Sequence, residues 1–235
     1  MNIKNIIIAI IIIFVLYKLY KYYFSDNSVN LINTHDARIP ELIKPNKLPK
    51  GVTSDYTYSI WFYINDWNYR FGETKVMFGR TDENNNASPS VTLAPSNNDL
   101  AVTMALYPNP DMSDGQELYT CSIRDVPLQR WTNLIMSLNN RALDLYLDGK
   151  LVKTCMLPGV PKMNNLSTLQ LSPDGGFSGY ISTFKYFPNA LNPSQAYDVY
   201  KAGYSGDSMF GNLFNKYRLK LAFLEDNKEV NSIEI

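Results

Sequence analysis

Residues 127–152, PLQRWTNLIMSLNNRALDLYLDGKLV, constrain the fold more than any other stretch. Leu143, Leu145 and Leu147 alternate with Asp144, Tyr146 and Asp148. A period of two puts the leucines on one face of a strand. Asp148-Gly149 supplies the positive φ angles of a two-residue hairpin turn, so Lys150-Leu151-Val152 is expected to return beside it. Upstream, Trp131 to Leu138 is an apolar β-run ending at the turn pair Asn139-Asn140. Three consecutive antiparallel strands follow from this pattern.

The rest of the chain agrees with an all-β reading. Its 17 Tyr and 11 Phe favour strands. Of 235 residues, about 180 remain for folding once a terminal apolar segment and a linker are set aside, enough for one large domain. Lys+Arg and Asp+Glu are 22 each, without the basic excess of a nucleic-acid surface. The single histidine, His35, lies in the linker, which argues against His-based metal sites and triads in the domain. Cys121 and Cys155 flank the central stretch and belong to no C-x-x-C pair. Three antiparallel strands can bring them within bridging distance; two buried thiols fit the pattern equally well.

In chain order, residues 1–24 form an expected transmembrane anchor. Ile6 to Tyr17 is continuously apolar, and a helix from Ile6 to Phe24 spans about 28 Å at ~1.5 Å per residue. Lys18, Lys21 and the nearby tyrosines suit the membrane interface. Bulky aromatics and lysines after the apolar run speak against a cleaved signal peptide. These lysines slightly favour the large domain on the cytosolic side. Residues 25–54, with Pro40, Pro45 and Pro49, read as an extended spacer that holds an edge strand near Arg38 to Ile43. The sandwich is expected over 55–224. In its long strand YTYSIWFYI, Trp61 and Tyr63 share one face, and Ile60, Phe62 and Ile64 the other. Asn192-Pro193-Ser194-Gln195 starts a short helix near 193–202 that Gly203 ends. Residues 225–235 read as a polar tail.

Four segments in order, Y-S-I-W-F-Y-I, R-W-T-N-L-I, Y-L-D-G-K-L-V and F-S-G-Y-I-S-T-F-K-Y-F…A-L-N-P-S-Q-A-Y-D-V-Y-K-A-G, resemble the concanavalin A-like lectin/glucanase superfamily in its laminin G-like branch. The resemblance covers about Asp55 to Gly203. It implies a jelly-roll β-sandwich of two antiparallel sheets. The anchor ahead of one such domain, the Asn- and Ile-rich composition and the Cys-flanked hairpin also resemble membrane-anchored proteins of large nucleocytoplasmic DNA viruses.

The glucanases of this superfamily carry alternate carboxylates on a strand, E-x-D-x-x-E, and this chain has no such run. Asp144 and Asp148 share a strand face but lie about 13 Å apart at ~3.3 Å per residue, too far for retaining or inverting hydrolysis. No catalytic residue is therefore assigned, and glycoside hydrolysis ranks last. Laminin G-like domains bind calcium and glycans at rim loops. The corresponding oxygen donors here are Asp82, Glu83, Asp111, Asp114 and Asp174, without a cage-like spacing. No other cofactor is expected. Trp67 and Tyr69, in N-D-W-N-Y-R-F-G, are either a sugar platform or a cap on the core; Trp131 reads as core. Asn86-Ala87-Ser88 and Asn165-Leu166-Ser167 are glycosylation sequons that matter only in a lumen. His35 reads as solvated. The expected function is a non-enzymatic, single-pass membrane interaction protein. It would be a virion component joining an internal membrane to the capsid, or lie at a host membrane. Its partners would be lipid bilayer and capsid protein, not nucleic acid. The alternative is a membrane-anchored lectin that binds glycan.

Overall fold

A computed structural model describes residues 11–17, 19, 28–49, 54–82, 84, 86–107, 118–163, 166–204, 220–225 and 228–234. Two six-stranded antiparallel sheets face each other. Sheet A runs β1 (Val29–Asp36), β12 (Ser178–Phe187), β3 (Tyr56–Asp66), β8 (Trp131–Asn139), β9 (Ala142–Leu147), β10 (Lys150–Met156). Sheet B runs β2 (Glu41–Ile43), β11 (Leu169–Leu171), β4 (Lys75–Thr81), β5 (Ala87–Leu93), β6 (Leu100–Ala105), β7 (Leu118–Ile123). The expected jelly-roll sandwich is thus observed.

Alternation builds the core. Tyr58, Ile60, Phe62 and Ile64 of β3, Leu134, Met136 and Leu138 of β8, and Leu143 and Leu145 of β9 point inward and are buried. Sheet B answers with Met77, Phe78, Val91, Leu93, Val102 and Met104. The Tyr58 and Phe184 rings lie 5.3 and 4.8 Å from Phe78 across the interlayer. The central stretch folds as its pattern dictates. Asn140 takes φ 54° in the first turn, and Asp148 and Gly149 take φ 48° and 72° in the second. At Gly149 a Cβ would meet Tyr197 and Tyr200 at 3.0 Å, because helix α1 (Pro193–Lys201) lies against this turn. The helix begins with the expected signal. Gln195 N donates to Asn192 Oδ1 and Asn192 N to Gln195 Oε1, each at 3.0 Å. Ala196 packs on Ile135 and Tyr146, so Tyr146 is buried on the outer face of sheet A.

Three expectations change. The stretch expected as spacer supplies β1 in addition to β2, which lies within the edge strand expected near Arg38 to Ile43; they are edge strands of sheets A and B. Its prolines do not oppose this, because Pro40 precedes β2 and Pro45 opens a 3-10 turn, while Leu31, Ala37, Ile43 and Leu48 are buried. The polar sequence VNLINTHD hid β1 from any period-two reading. Second, residues 225–235, expected as a polar tail, include β14 (Lys228–Glu234), which pairs with β13 (Lys220–Glu225) as a two-stranded hairpin. Third, His35 is not solvated. Its Nε2 lies 2.6 Å from the Ile39 carbonyl oxygen and its Nδ1 3.5 Å from Glu41, so it links β1 to β2. Residues 11–17 are helical. Among the described residues no helix is long and apolar enough to cross a membrane; Ile6 and Phe24 of the expected anchor lie outside them, and Tyr17 is helical.

The cysteines are bridged. Cys121 of β7 and Cys155 of β10 form a disulfide with a Cα separation of 6.2 Å, joining the edge strands of both sheets. It closes a loop of sequence separation 34, for which chain entropy predicts about 4 kcal/mol of stabilisation. Thermal unfolding with and without reductant is expected to show a fall in Tm of several degrees on reduction, with Cys155→Ser matching the reduced protein.

Candidate functional site

The outer face of sheet A is divided in two. Along β3 it carries Thr57, Ser59, Trp61 and Tyr63, and along β8 Trp131, Asn133, Ile135 and Ser137. The chain from Asn189 to Tyr204 crosses most of it. Ser137 and Thr57 hydroxyls accept from Leu191 N at 2.9 and 3.2 Å. Ser182 and Thr183 hydroxyls donate to the Tyr204 carbonyl at 2.7 and 2.6 Å. Trp61 is buried to 6% exposure, with Tyr200 stacked at 5.5 Å and Tyr204 edge-on at 5.7 Å. The polar outer residues of these strands thus hold the crossing chain in place.

One end of this face stays open. There, Asp36 pairs across strands with Tyr180, Tyr180 with Tyr63, and Tyr63 with Trp131. Directly paired residues share a face, so this is one row over β1, β12, β3 and β8, about 14 Å long at ~4.8 Å per strand. Tyr180 is 47% exposed, and Tyr63 and Trp131 are half-buried. The Tyr63 and Trp131 rings are 5.8 Å apart, and Tyr204 stacks on Trp131 at 4.9 Å and 8°. Trp131 is therefore an outer-face residue, contrary to the expectation of core. A single ladder row, not a loop, sets these rings side by side.

Ion pairs stand at both ends. Arg38 grips Asp36 with Nη2 at 2.7 Å and Nε at 3.0 Å, and its backbone N–H donates to the same carboxylate at 3.0 Å. These bonds from Arg38 hold the Asp36 carboxyl down at about 2. At the far end Asp148 pairs with Arg130 and accepts from Asn133 N at 2.9 Å. Beneath lies Asn133, whose Nδ2 donates to Ser59 Oγ at 3.2 Å. Asn133 Oδ1 and the Tyr146 hydroxyl are buried and find no protein partner among the described residues.

The residues singled out from sequence lie elsewhere. Trp67 packs against the core with Lys75 Nζ 4.9 Å from its ring centre, and Lys75 is only 1% exposed. Burial pushes the Lys75 pKa down. Tyr69 donates to the Gly175 carbonyl at 3.1 Å, and Arg70 to that of Asp174 at 2.5 Å. Trp67 and Tyr69 thus cap the core and latch their loop to the 173–176 turn. Asp82 is buried. Desolvation opposes its charge, but bonds from Asn86 and Asn84 N–H groups at 2.7 and 2.9 Å, the Asn86 amide and Lys162 at 3.7 Å prevail and keep its pKa low. Its oxygens already serve the 82–86 turn. Asp174 is 3-10 turn backbone at φ 55°. Glu83, Asp111, Asp114 and Asn165 lie outside the described residues. Among the described residues no three His, Cys, Asp or Glu side chains gather in a metal-sized cluster. Asp144 accepts from the Thr154 hydroxyl at 2.6 Å, which separates it in role from Asp148.

A family model for the concanavalin A-like lectin/glucanases superfamily matches residues 41–196. The chain belongs to this superfamily. No curated protein matches it in sequence. Its fold is similar to the ligand binding domain of botulinum neurotoxin serotype D in complex with N-acetylneuraminic acid, at 12% identity and TM-score 0.56, covering 75% of this chain and 44% of that one. The binding domain of botulinum neurotoxin DC in complex with rat synaptotagmin II is similar at 14% identity and TM-score 0.53, covering 75% and 46%. The receptor binding domain of botulinum neurotoxin type G gives 10% and 0.51, covering 74% and 50%. The chain thus spans half or less of the length of these proteins.

Because Asp36 has a depressed folded pKa, its stabilising bond is fully present above the ordinary carboxylate range and is lost as pH falls through about 2. In Arg38→Ala, an NMR titration of the Asp36 carboxyl is expected to show its midpoint rising toward the ordinary value near 3.8.

Proposed function

We propose that this chain is a non-catalytic glycan-binding domain held at a membrane. The carrying observation is the row Asp36–Tyr180–Tyr63–Trp131, open at Tyr180 and Tyr63 and bordered by Tyr204 stacked on Trp131. Aromatic rings offer faces for the C–H side of a sugar, and the charged groups at the row ends can bond its hydroxyls. The open row is long enough for a short oligosaccharide. The carboxylates at its ends are each bound to an arginine. The bonds from Arg38 favour an ionised Asp36 at neutral pH, which supports a binding role over that of the protonated acid in glycoside hydrolysis. The N-acetylneuraminic acid complex of a protein with this fold is compatible with such a ligand class. A glycan array probed with the full chain in detergent is the test. Tyr180→Ala is expected to lower affinity about tenfold with Tm unchanged, while Trp67→Ala lowers Tm and keeps the binding. Array-wide silence of the folded protein would end this reading.

Membrane attachment rests on the apolar run from Ile6 to Tyr17. The bridge between Cys121 and Cys155 supports a domain on the oxidising side of that membrane. It outweighs the lysine bias, in which Lys18 and Lys21 are nearly balanced by Lys4 and the amino terminus. Protease added to intact vesicles from expressing cells is expected to degrade the domain if they are right-side-out plasma membrane, and to spare it in sealed microsomes. Degradation in sealed microsomes would place the domain on the cytosolic side.

A second reading is a virion component that joins an internal membrane to the capsid. The anchor followed by one sandwich favours it, and its mark would be co-purification with capsid protein without any glycan binding.

A further inference from the structure

We infer that β7 is a docking edge for an extended, acidic segment of a partner protein, which adds to sheet B as a further strand. A sandwich of two open sheets has four edges, and unprotected edges invite pairing, so proteins blunt them. Three of the four are blunted here. β1 carries a register shift between Asn30 and Ile32. β2 has only 3 residues. β10 has a shift between Leu151 and Lys153 and presents Lys150 and Lys153. β7 has none of these devices. Its sequence LYTCSI holds no charge and no proline, and it pairs with β6 from Ile123 to Leu118 without a register shift.

The surroundings specify the occupant. A cleft of about 420 Å³ runs beside this edge, lined by Ser122, Ile123, Arg124, Leu147, Val152 and Lys153. Its lining mixes apolar Ile123, Leu147 and Val152 with polar groups, and its two ionisable groups, Arg124 and Lys153, are exposed cations. Among the described residues, Asp144 is engaged with Thr154, Asp148 with Arg130, and Asp99 with the backbone N–H of Asp125. Asp125 itself follows Arg124 at an exposed turn. Main-chain pairing with β7 supplies affinity, and carboxylates on the face that the added strand turns toward the cleft meet Arg124 and Lys153. A second copy's β7, flanked in sequence by Glu117 and Asp125, is the competing occupant that the peptide experiment distinguishes. The bridge from Cys121 to Cys155 fixes both walls, so the cleft is preorganised. This site is separate from the aromatic row and does not rest on the glycan reading.

The probe is a fluorescein-labelled octapeptide of alternating Glu and Val, titrated by anisotropy against the full chain in detergent, with a Lys-Val octapeptide as control. Expected are saturable binding of the Glu-Val peptide alone and a loss of about tenfold or more in the Arg124→Glu/Lys153→Glu double variant. In that variant, preference should pass to the Lys-Val peptide. Unchanged circular dichroism and Tm keep the variant interpretable. Hydrogen exchange should slow at alternate β7 amides of the wild-type chain when peptide is bound. Absence of binding, equal binding of both peptides, or binding without β7 protection overturns the proposal. So does a dimer of the chain alone that protects β7 and survives the double variant, which would assign the edge to a second copy.

Discussion

The register of β3 against β8 is the constraint on which both the core and the candidate site depend. From Tyr56 to Tyr63 the two strands pair without a shift. Even-numbered residues of β3 therefore face sheet B, and odd-numbered ones face outward. A slip of one residue would expose Phe62 and bury Tyr63, so the apolar interior also fixes what the outer face displays. β3 lies between β12 and β8, and the row Tyr180–Tyr63–Trp131 is simply this register continued across three strands.

What divides covered from open surface is the chain after β12. Thr57, Ser137, Ser182 and Thr183 are polar, sit on the outer face, and bond backbone groups of residues 189–204. Buried polar groups need such partners. The same bonds hold Tyr204 over Trp131 and Trp61. The aromatic surface is thus partly lid and partly platform, and the boundary falls between Trp61, which is buried, and Tyr63, which is not.

The sequence read well where period and turn chemistry agreed. Leu143 and Leu145, the Asp148-Gly149 turn and the Asn192–Gln195 box each carry a local physical signal, and each stands where expected. β1 was illegible because an edge strand with one buried leucine and two asparagines has no hydrophobic alternation to detect. The site was half legible. The pattern put Trp61 and Tyr63 on one face, but nothing local says which of them a distant helix will cover. Tyr180 and Asp36 join Tyr63 only through strand pairs more than 100 residues apart in sequence, and such pairing leaves no mark in a single chain. Trp67 and Tyr69 stood between sugar platform and core cap in the sequence, and the contacts with Lys75 and Gly175 that favour the cap come from residues that a local pattern does not reveal.

The Cys121–Cys155 bridge also sets how the molecule carries load. It fastens β7 to β10, at one margin of the sandwich, while β1 and β2 form the opposite margin of both sheets. Tension arriving through the residues ahead of Val29 therefore meets a seam with no covalent stitch. There β1 is held by its ladder to β12 and by the His35 contacts with Ile39 and Glu41. The domain is a book bound along one side: a pull on its leading strand lifts the first page while the spine stays shut.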